Sequence, residues 1–326
     1  MAENNTRSHL VGVDLGGTKI LAGVFDTKLQ PLGTTKFSTK AQRGPEAVIE
    51  RIARCVQDAI DECDLSTKQI RAVGIGAPGA VDPEHGEVVF APNLGWKDVA
   101  IVKELEKRLD VPVFLENDCQ VCMLGVYEQE LKSKPKHVLG IFIGTGIGGG
   151  LIQNGELYHG SSHTAGEVGH MVIDVNGPKC SCGNKGCFEV FASRSALFRA
   201  IQSAIKNGEK SLLTEMLGED LKDLRSGDIR KAIRRGDKVV EKIVEEAAEY
   251  TGVAIGNLVN ILNPEVVVLG GGVMEALSDE MMPTIVKSAK SHVLPGTFRN
   301  VDIIASKLGD NAGITGAAAL ARDKTK

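Results

Sequence analysis

The chain has 326 residues, of which 42% are hydrophobic and 25% are charged, and its formal net charge is -4. This composition is typical of a soluble globular protein with two domains, and it offers no basic surplus for binding nucleic acid. The first ten residues do not resemble a secretory signal, and no apolar run reaches the ~18 residues that a membrane helix needs. We therefore expect a cytoplasmic protein with reduced cysteines and no membrane or nucleic-acid partner.

Apolar segments alternate with glycine-rich turns and amphipathic segments along the chain. Two similar patterns, each an apolar strand, a glycine-rich turn and a second apolar strand, lie about half a chain apart and indicate a duplicated α/β unit. The predicted elements are a hairpin at 9–25, a helix at 45–63, strands at 70–79 and 111–118, a second hairpin at 138–156, a mostly helical region at 195–262, a strand at 264–273 that runs into glycines, and a small-residue helix at 311–323.

We predict an α/β fold with two domains. The boundary is placed after residue 118, and the last helix is expected to return to the first domain. The small α/β domain then comprises residues 1–118 and 312–326, and the large α/β domain comprises residues 119–311.

Three glycine-rich turns follow apolar strands, at residues 14–19, 144–150 and 270–272. Without side chains, backbone N–H groups can approach phosphate oxygens, although each turn taken alone could equally be a tight turn only. Two matches to G-x-G-x-x-G, starting at Gly74 and Gly144, do not precede a predicted helix. We therefore reject a dinucleotide fingerprint, and the chain contains no G-x-x-x-x-G-K-[ST] motif.

Cys180, Cys182 and Cys187 lie within eight positions of one another, and His170 lies ten residues upstream. Three thiolates and one imidazole can complete the tetrahedron of a structural zinc site. A disulfide and unligated thiols remain open alternatives. If zinc binds, we expect it to supply folding energy, because a compact loop rich in glycine and proline buries little apolar surface.

The motifs DLGGTK, ENDCQ, GTGIGGG, AGEVGH with CSCGNKGCFE, and VVVLGGGV occur in this order. Together they resemble the ROK family of sugar kinases, and the resemblance runs from about Val11 to the last helix. It implies the actin-like ATPase and sugar-kinase fold, which is ribonuclease H-like, with two α/β domains around an interdomain cleft.

The resemblance implies ATP-dependent phosphorylation of a hexose at its 6-hydroxyl, with D-glucose as the leading acceptor. N-acetylmannosamine, N-acetylglucosamine, mannose, allose and fructose are alternative acceptors, and a non-catalytic sugar-sensing regulator is the alternative of another class. ROK regulators carry a DNA-binding domain before the kinase-like part, whereas only about ten residues precede the first strand here. The implied cofactors are Mg²⁺ and structural Zn²⁺ beside ATP, and the implied assembly is a homodimer or homotetramer.

The resemblance also assigns roles to individual residues. Asp118 is the implied general base, and Asn117 is expected to act on the sugar as both donor and acceptor. The implied sugar contacts are Asn93, Asn117, Asp118, Glu167, His170 and Glu189; the implied nucleotide and Mg²⁺ contacts are Asp14, Gly16, Gly17, Thr18, Lys19, Gly144, Thr145, Gly146, Gly148, Gly149, Gly271 and Gly272; and the implied zinc ligands are His170, Cys180, Cys182 and Cys187.

Overall fold

The computed structural model describes residues 7–326. Its strands are β1 (His9–Leu15), β2 (Lys19–Phe25), β3 (Pro31–Ser38), β4 (Ile70–Ala77), β5 (Ala80–Asp82), β6 (Glu87–Ala91), β7 (Trp96–Val99), β8 (Val113–Asn117), β9 (Val138–Ile143), β10 (Ile147–Gln153), β11 (Glu156–Leu157), β12 (Val266–Gly270) and β13 (Asp302–Ala305). Its α-helices are α1 (Pro45–Asp61), α2 (Ile101–Leu109), α3 (Asp118–Gln129), α4 (Glu189–Ala192), α5 (Arg194–Lys206), α6 (Leu212–Leu217), α7 (Ser226–Arg234), α8 (Lys238–Leu262), α9 (Gly272–Ser291) and α10 (Asn311–Asp323).

The strands form two five-stranded sheets with equivalent orders, β3-β2-β1-β4-β8 and β11-β10-β9-β12-β13, and a small sheet β5-β6-β7. In the first sheet, β1 pairs antiparallel with β2 and parallel with β4, and β4 pairs parallel with β8. In the second, β12 runs parallel to both β9 and β13. The predicted duplication is therefore confirmed. The two rejected G-x-G-x-x-G matches lead into β5 and β10, so neither opens a helix.

The chain divides by its packing into two compact units. Unit 1 comprises residues 1–134, 150–166 and 310–326, and unit 2 comprises residues 135–149 and 167–309. This division differs from the boundary predicted at residue 118, because α3 packs against α10 and the stretch 150–166 also belongs to unit 1. A strand hairpin can be read from local pattern, whereas the side on which a helix packs depends on distant partners.

The first sheet is covered on both faces, as the nearly continuous burial of β1, β2 and β4 shows. Val11, Val13 and Leu15 of β1 share one apolar cluster with residues of α1 and α2. Leu10, on the other face, joins a cluster that includes Ile314 of α10. Successive strand residues point to opposite faces, so β1 consists almost entirely of apolar residues.

The last helix lies very close to the sheet and to α3. A Cβ atom on Gly12 would lie 1.8 Å from the carbonyl oxygen of Ile314, and one on Gly316 would lie 1.7 Å from that of Val121. The small residues of α10, which were predicted only as a helix, therefore permit backbone-to-backbone contact. Among residues 7–326, no helix is both long and apolar enough to cross a membrane.

Candidate functional site

Asn117 ends β8 and caps α3. Its Oδ1 accepts hydrogen bonds from the backbone N–H groups of Cys119 (2.9 Å) and Gln120 (3.2 Å), and its Nδ2 donates to the carbonyl oxygen of Gly79 (3.0 Å). An amide oxygen has two lone pairs, and both are occupied here. The Asn117 oxygen therefore caps the helix, and one amide N–H remains for a ligand.

Asp118 begins α3 and is half-buried at the end of the strand. Its Oδ1 accepts from the N–H of Cys119 at 2.8 Å, which fixes the side chain beside its own backbone. A side chain held at a strand end by a capped helix is restricted in position, as a proton acceptor in catalysis needs to be.

A buried carboxylate, which was not predicted from the sequence, is hydrogen-bonded to the backbone where β8 meets α3. Glu116 is 1% exposed; its Oε1 accepts from the N–H of Asn117 (2.8 Å), and its Oε2 lies 2.7 Å from Nε2 of His159. A glutamate within an otherwise apolar strand was the available signal. Its partner could not be identified because His159 lies 43 residues along the chain.

The first glycine hairpin holds a cluster of charges. Asp14 lies on β1, Lys19 begins β2, and the Lys19 ammonium pairs with Asp310, just before α10. Burial raises the pKa of Asp14 to about 6, although the nearby charge of Lys19 opposes the shift. Gly16, Gly17 and Thr18 form the turn between the strands, and Gly17 lies beside Asn93 in the turn at Pro92–Leu94.

The second glycine loop, Gly144 to Gly146, is held by the start of α5. The backbone N–H of Arg194 donates to the carbonyl of Gly144 (2.9 Å), and the Ser195 hydroxyl donates to the carbonyl of Thr145 (2.8 Å). In a trans peptide the N–H points opposite to the C=O. The N–H groups of Thr145 and Gly146 therefore point away from α5, as a concave anion site requires.

Glu189, the first residue of α4, is bonded to the same loop. Its Oε2 accepts from the N–H of Ile147 at 2.8 Å, and a Cβ atom on Gly146 would lie 2.3 Å from that oxygen. Gly148 and Gly149 lie on β10, Gly271 separates β12 from α9, and Gly272 begins α9.

The four predicted zinc ligands lie together. One donor atom from each of His170, Cys180, Cys182 and Cys187 lies within 4.8 Å of all the others. The Sγ atoms of Cys182 and Cys187 are 3.7 Å apart, and Cys180 Sγ is 3.7 Å from His170 Nδ1. Two thiolates bound to one tetrahedral zinc at about 2.3 Å would be separated by about 3.8 Å. The donor set therefore fits zinc, and the cysteines form no disulfide.

The electrostatics of this cluster also suit a cation. Burial and the adjacent thiols raise the pKa of Cys187 to about 12. Thiols this close cannot all ionise unless a positive ion lies between them. Glu167 Oε2 lies 3.9 Å from His170 Nε2, so the nitrogen that does not face the sulfur atoms is directed toward a carboxylate. This separation is longer than a hydrogen bond, so the carboxylate lies near the ring without fixing its orientation.

Comparison with known proteins agrees with these features. The model of the ROK family matches residues 10–324. A glucokinase of Streptomyces coelicolor is 36% identical over 96% of this chain and 97% of its own length. The crystal structure of a ROK family glucokinase from Streptomyces griseus, in complex with glucose and AMPPNP, superposes with a TM-score of 0.85 at 33% identity, covering 97% of this chain and 99% of that chain.

Regulators also occur among the relatives. A xylose repressor of Bacillus subtilis is 28% identical over 98% of this chain and 78% of its own length. The α/β architecture with paired five-stranded sheets is shared with the ROK sugar kinases. On the family match and on full-length identity above 30%, this chain belongs to the ROK family.

Proposed function

We propose that this protein transfers the terminal phosphoryl group of ATP to the 6-hydroxyl of a hexose, and that D-glucose is its acceptor. The observation that carries the proposal is Asp118, a half-buried carboxylate positioned at a strand end by the capped start of α3. Relatives named glucokinase, including one whose structure contains glucose and AMPPNP, support the choice of donor and acceptor.

Asp118 has the chemistry of a general base for this transfer. As the sugar O6 forms its bond to the γ-phosphorus, the hydroxyl proton passes to the Asp118 carboxylate, the bond from the γ-phosphorus to the bridging oxygen breaks, and ADP leaves. Asn117 would use its remaining N–H as a donor to a sugar oxygen. Asn93, Glu167, His170 and Glu189 are the further proposed sugar contacts.

The phosphates are assigned to the glycine turns. The proposed phosphate contacts are Gly16, Gly17, Thr18, Lys19, Gly144, Thr145, Gly146, Gly148 and Gly149, and Gly271 and Gly272 would lie beside the adenosine. Asp14 would hold a bound Mg²⁺ directly or through water, and the ion would neutralise charge on the phosphate oxygens. Asp14 fits this role because a carboxyl group with a pKa raised by burial gains from a nearby cation.

Turnover measured as ADP release from Mg-ATP, across a panel of hexoses and N-acetylhexosamines, tests the proposal. We expect glucose to give the highest kcat/KM, and we expect Asp118→Asn to lower kcat by about 10²- to 10⁴-fold while both substrates still bind. Asp110→Asn, an exposed substitution at the end of α2, is the matched control and should leave kcat unchanged. Full activity of Asp118→Asn would contradict the assignment of the base.

A sugar-sensing regulator is the second candidate, because a xylose repressor is among the relatives. The same assay separates the two functions. A sensor binds sugar saturably and shows no sugar-dependent ADP release, whereas a kinase releases one ADP for each sugar phosphate formed.

Cytoplasmic location and a homodimeric or homotetrameric assembly remain part of the proposal. A kinase that consumes ATP requires the compartment that contains it. Light scattering after size exclusion would give the assembly.

A further inference from the structure

Arg194 lies on the glycine loop, and the proposed function gives it no role. It is the first residue of α5, after the N-cap Ser193. Its backbone N–H donates to the carbonyl of Gly144 at 2.9 Å, and its guanidinium Nη2 donates to the hydroxyl oxygen of Thr145. Both ends of this residue therefore contact the loop that is proposed to bind phosphate.

Most of the guanidinium is uncommitted. Within residues 7–326 no carboxylate forms an ion pair with Arg194, and the bond to Thr145 uses one of its five N–H donors. Glu189, the acidic side chain bonded to the same loop, is directed to the N–H of Ile147. A planar cation with four unused donors is well suited to phosphate oxygens.

The bond to Thr145 also determines what the threonine can offer. Because Nη2 donates to Oγ1, the hydroxyl proton of Thr145 remains available to a second acceptor. The N–H groups of Thr145 and Gly146 point away from α5, as described above. The backbone N–H groups of Thr145 and Gly146 and the remaining hydroxyl proton of Thr145 are thus donors, and together with the Arg194 guanidinium they suit an oxyanion.

We propose that Arg194 is a phosphate-binding residue of the nucleotide site, contacting the terminal phosphate oxygens of a nucleoside triphosphate through its unused N–H donors. The inference rests on the proposed function, because it takes the loop from Gly144 to Gly149 as the phosphate loop. It adds a charged side chain to a loop that otherwise offers backbone and hydroxyl donors.

Replacing Arg194 by alanine tests this assignment. Loss of charge-assisted hydrogen bonds should raise the KM for ATP and the Kd for AMPPNP by about 10- to 100-fold, with the KM for glucose within about twofold of wild type. Arg199→Ala is the matched control: it removes a guanidinium from the same helix, where Nη2 donates to the carbonyl of Val190 at 2.8 Å, and both constants should stay unchanged. Equal effects of the two substitutions, or no effect of Arg194→Ala, overturn the inference.

Thr145→Val separates a direct contact from one that acts through the threonine. If Arg194 binds phosphate itself, Arg194→Ala weakens AMPPNP binding in the Thr145→Val background too. If the effect disappears in that background, Arg194 only orients Thr145 and the direct contact is wrong. If Arg194→Ala does not fold, Arg194→Lys is the alternative variant, because lysine keeps the charge but lacks the planar set of N–H donors. We expect it to raise the Kd for AMPPNP by less than alanine would. A Kd equal to that of wild type overturns the inference.

The binding readout keeps this test independent of the kinase assignment. If wild-type protein shows no sugar-dependent ADP release yet binds AMPPNP through Arg194, the proposed reaction fails and the phosphate contact stands. If wild-type protein shows sugar-dependent ADP release and the Arg194→Ala variant has the same rate and the same KM for ATP, the proposed reaction stands and the phosphate contact fails.

Discussion

Asp14 is a residue whose proposed role conflicts with its contribution to stability. Burial raises its pKa from 3.8 to about 6, so the folded state binds this proton more tightly than the unfolded chain. The free energy of unfolding therefore falls as pH rises between these two values, and the whole cost of the buried charge is present at neutral pH. A group kept at such a cost is typical of a functional site.

Asp14→Asn should accordingly stabilise the protein while removing activity. We expect the free energy of unfolding at pH 7.5 to increase by about 1–2 kcal/mol, because each pKa unit corresponds to about 1.4 kcal/mol and partial exposure reduces the full value. At pH 4 the gain should be small. Urea titrations at both pH values measure the change in the free energy of unfolding. Equal changes at pH 7.5 and pH 4 would show that the buried charge of Asp14 is not the cause.

Asp310→Asn should change the free energy of unfolding in the opposite direction. Its pair with Lys19 lowers the pKa of Asp310, so this carboxylate stabilises the folded state at neutral pH and loses that contribution in acid. We therefore expect Asp310→Asn to be less stable than wild type at pH 7.5, in contrast to Asp14→Asn.

The candidate residues could be identified from sequence because their motifs are local. His170 and the three cysteines lie within 18 positions, and the structure brings their donor atoms together. The bonds that determine what each residue can do are long-range and could not be predicted. Neither the use of the Asn117 oxygen by α3, nor the pair of Glu116 with His159, nor the contact of Arg194 with Thr145 follows from spacing alone.

At the scale of elements, α10 depends on the absence of side chains where it meets its neighbours. A Cβ on Gly316 would meet the backbone of α3, which cannot move aside as a flexible side chain could. The presence of a helix rich in small residues could be predicted from sequence. The sheet and helix that require its glycines lie more than a hundred residues away, so this constraint is visible only in the fold.

Gly316→Ala should therefore destabilise the protein by about 3 kcal/mol, as expected for overpacking against backbone. Gly227→Ala is the control, since a Cβ there meets nothing within 4 Å in α7. Alanine has the higher helix propensity, so that variant should be about 0.5–1 kcal/mol more stable. Chemical denaturation compares them, and similar effects of both substitutions would argue against the steric explanation.

The cysteine loop is the second element with a testable dependence. Two short backbone hydrogen bonds close the loop. The N–H of Cys180 donates to the carbonyl of Asn184 (2.7 Å), and the N–H of Gly186 donates to the carbonyl of Pro178 (2.8 Å). Cys180, Cys187 and Val190 form only a small apolar cluster with Phe191. A bound metal would be the main source of its stability.

We expect one zinc per chain by elemental analysis, and we expect chelation to lower Tm and raise the KM for sugar more than that for ATP. Cys182→Ser should reproduce both effects, because it removes one ligand. Cys63→Ser, a half-buried thiol in unit 1, should retain zinc and KM. Unchanged zinc content in Cys182→Ser would exclude it as a ligand.

At the scale of the whole molecule, a glucokinase and a xylose repressor are both similar to this chain over nearly all of its length, so ligand preference must be measured. A duplicated α/β unit was anticipated from the repeated hairpins, since each hairpin carries the same local pattern, and the equivalent strand orders of the two large sheets agree with it. The choice of sugar acceptor could not be predicted, because it depends on pocket walls assembled from distant segments.

Thermal unfolding with added sugar provides this measurement. A ligand at a hundred times its Kd adds about 2.7 kcal/mol to the free energy of unfolding. We expect glucose to raise Tm at lower concentration than xylose, which lacks the hydroxymethyl group that the proposed reaction phosphorylates. Glu167→Gln should reduce the response to glucose. A stronger response to xylose would favour the regulator.

The composition of unit 1 has a consequence for biosynthesis. Residues 310–326 belong to this unit, and α10 packs against β1, β4 and α3, all made much earlier. A ribosome releases the whole of unit 2, which ends at residue 309, before it releases that helix. The face of β1 and β4 that α10 covers therefore stays uncovered during the synthesis of about 180 residues. The unit that is begun first is completed last.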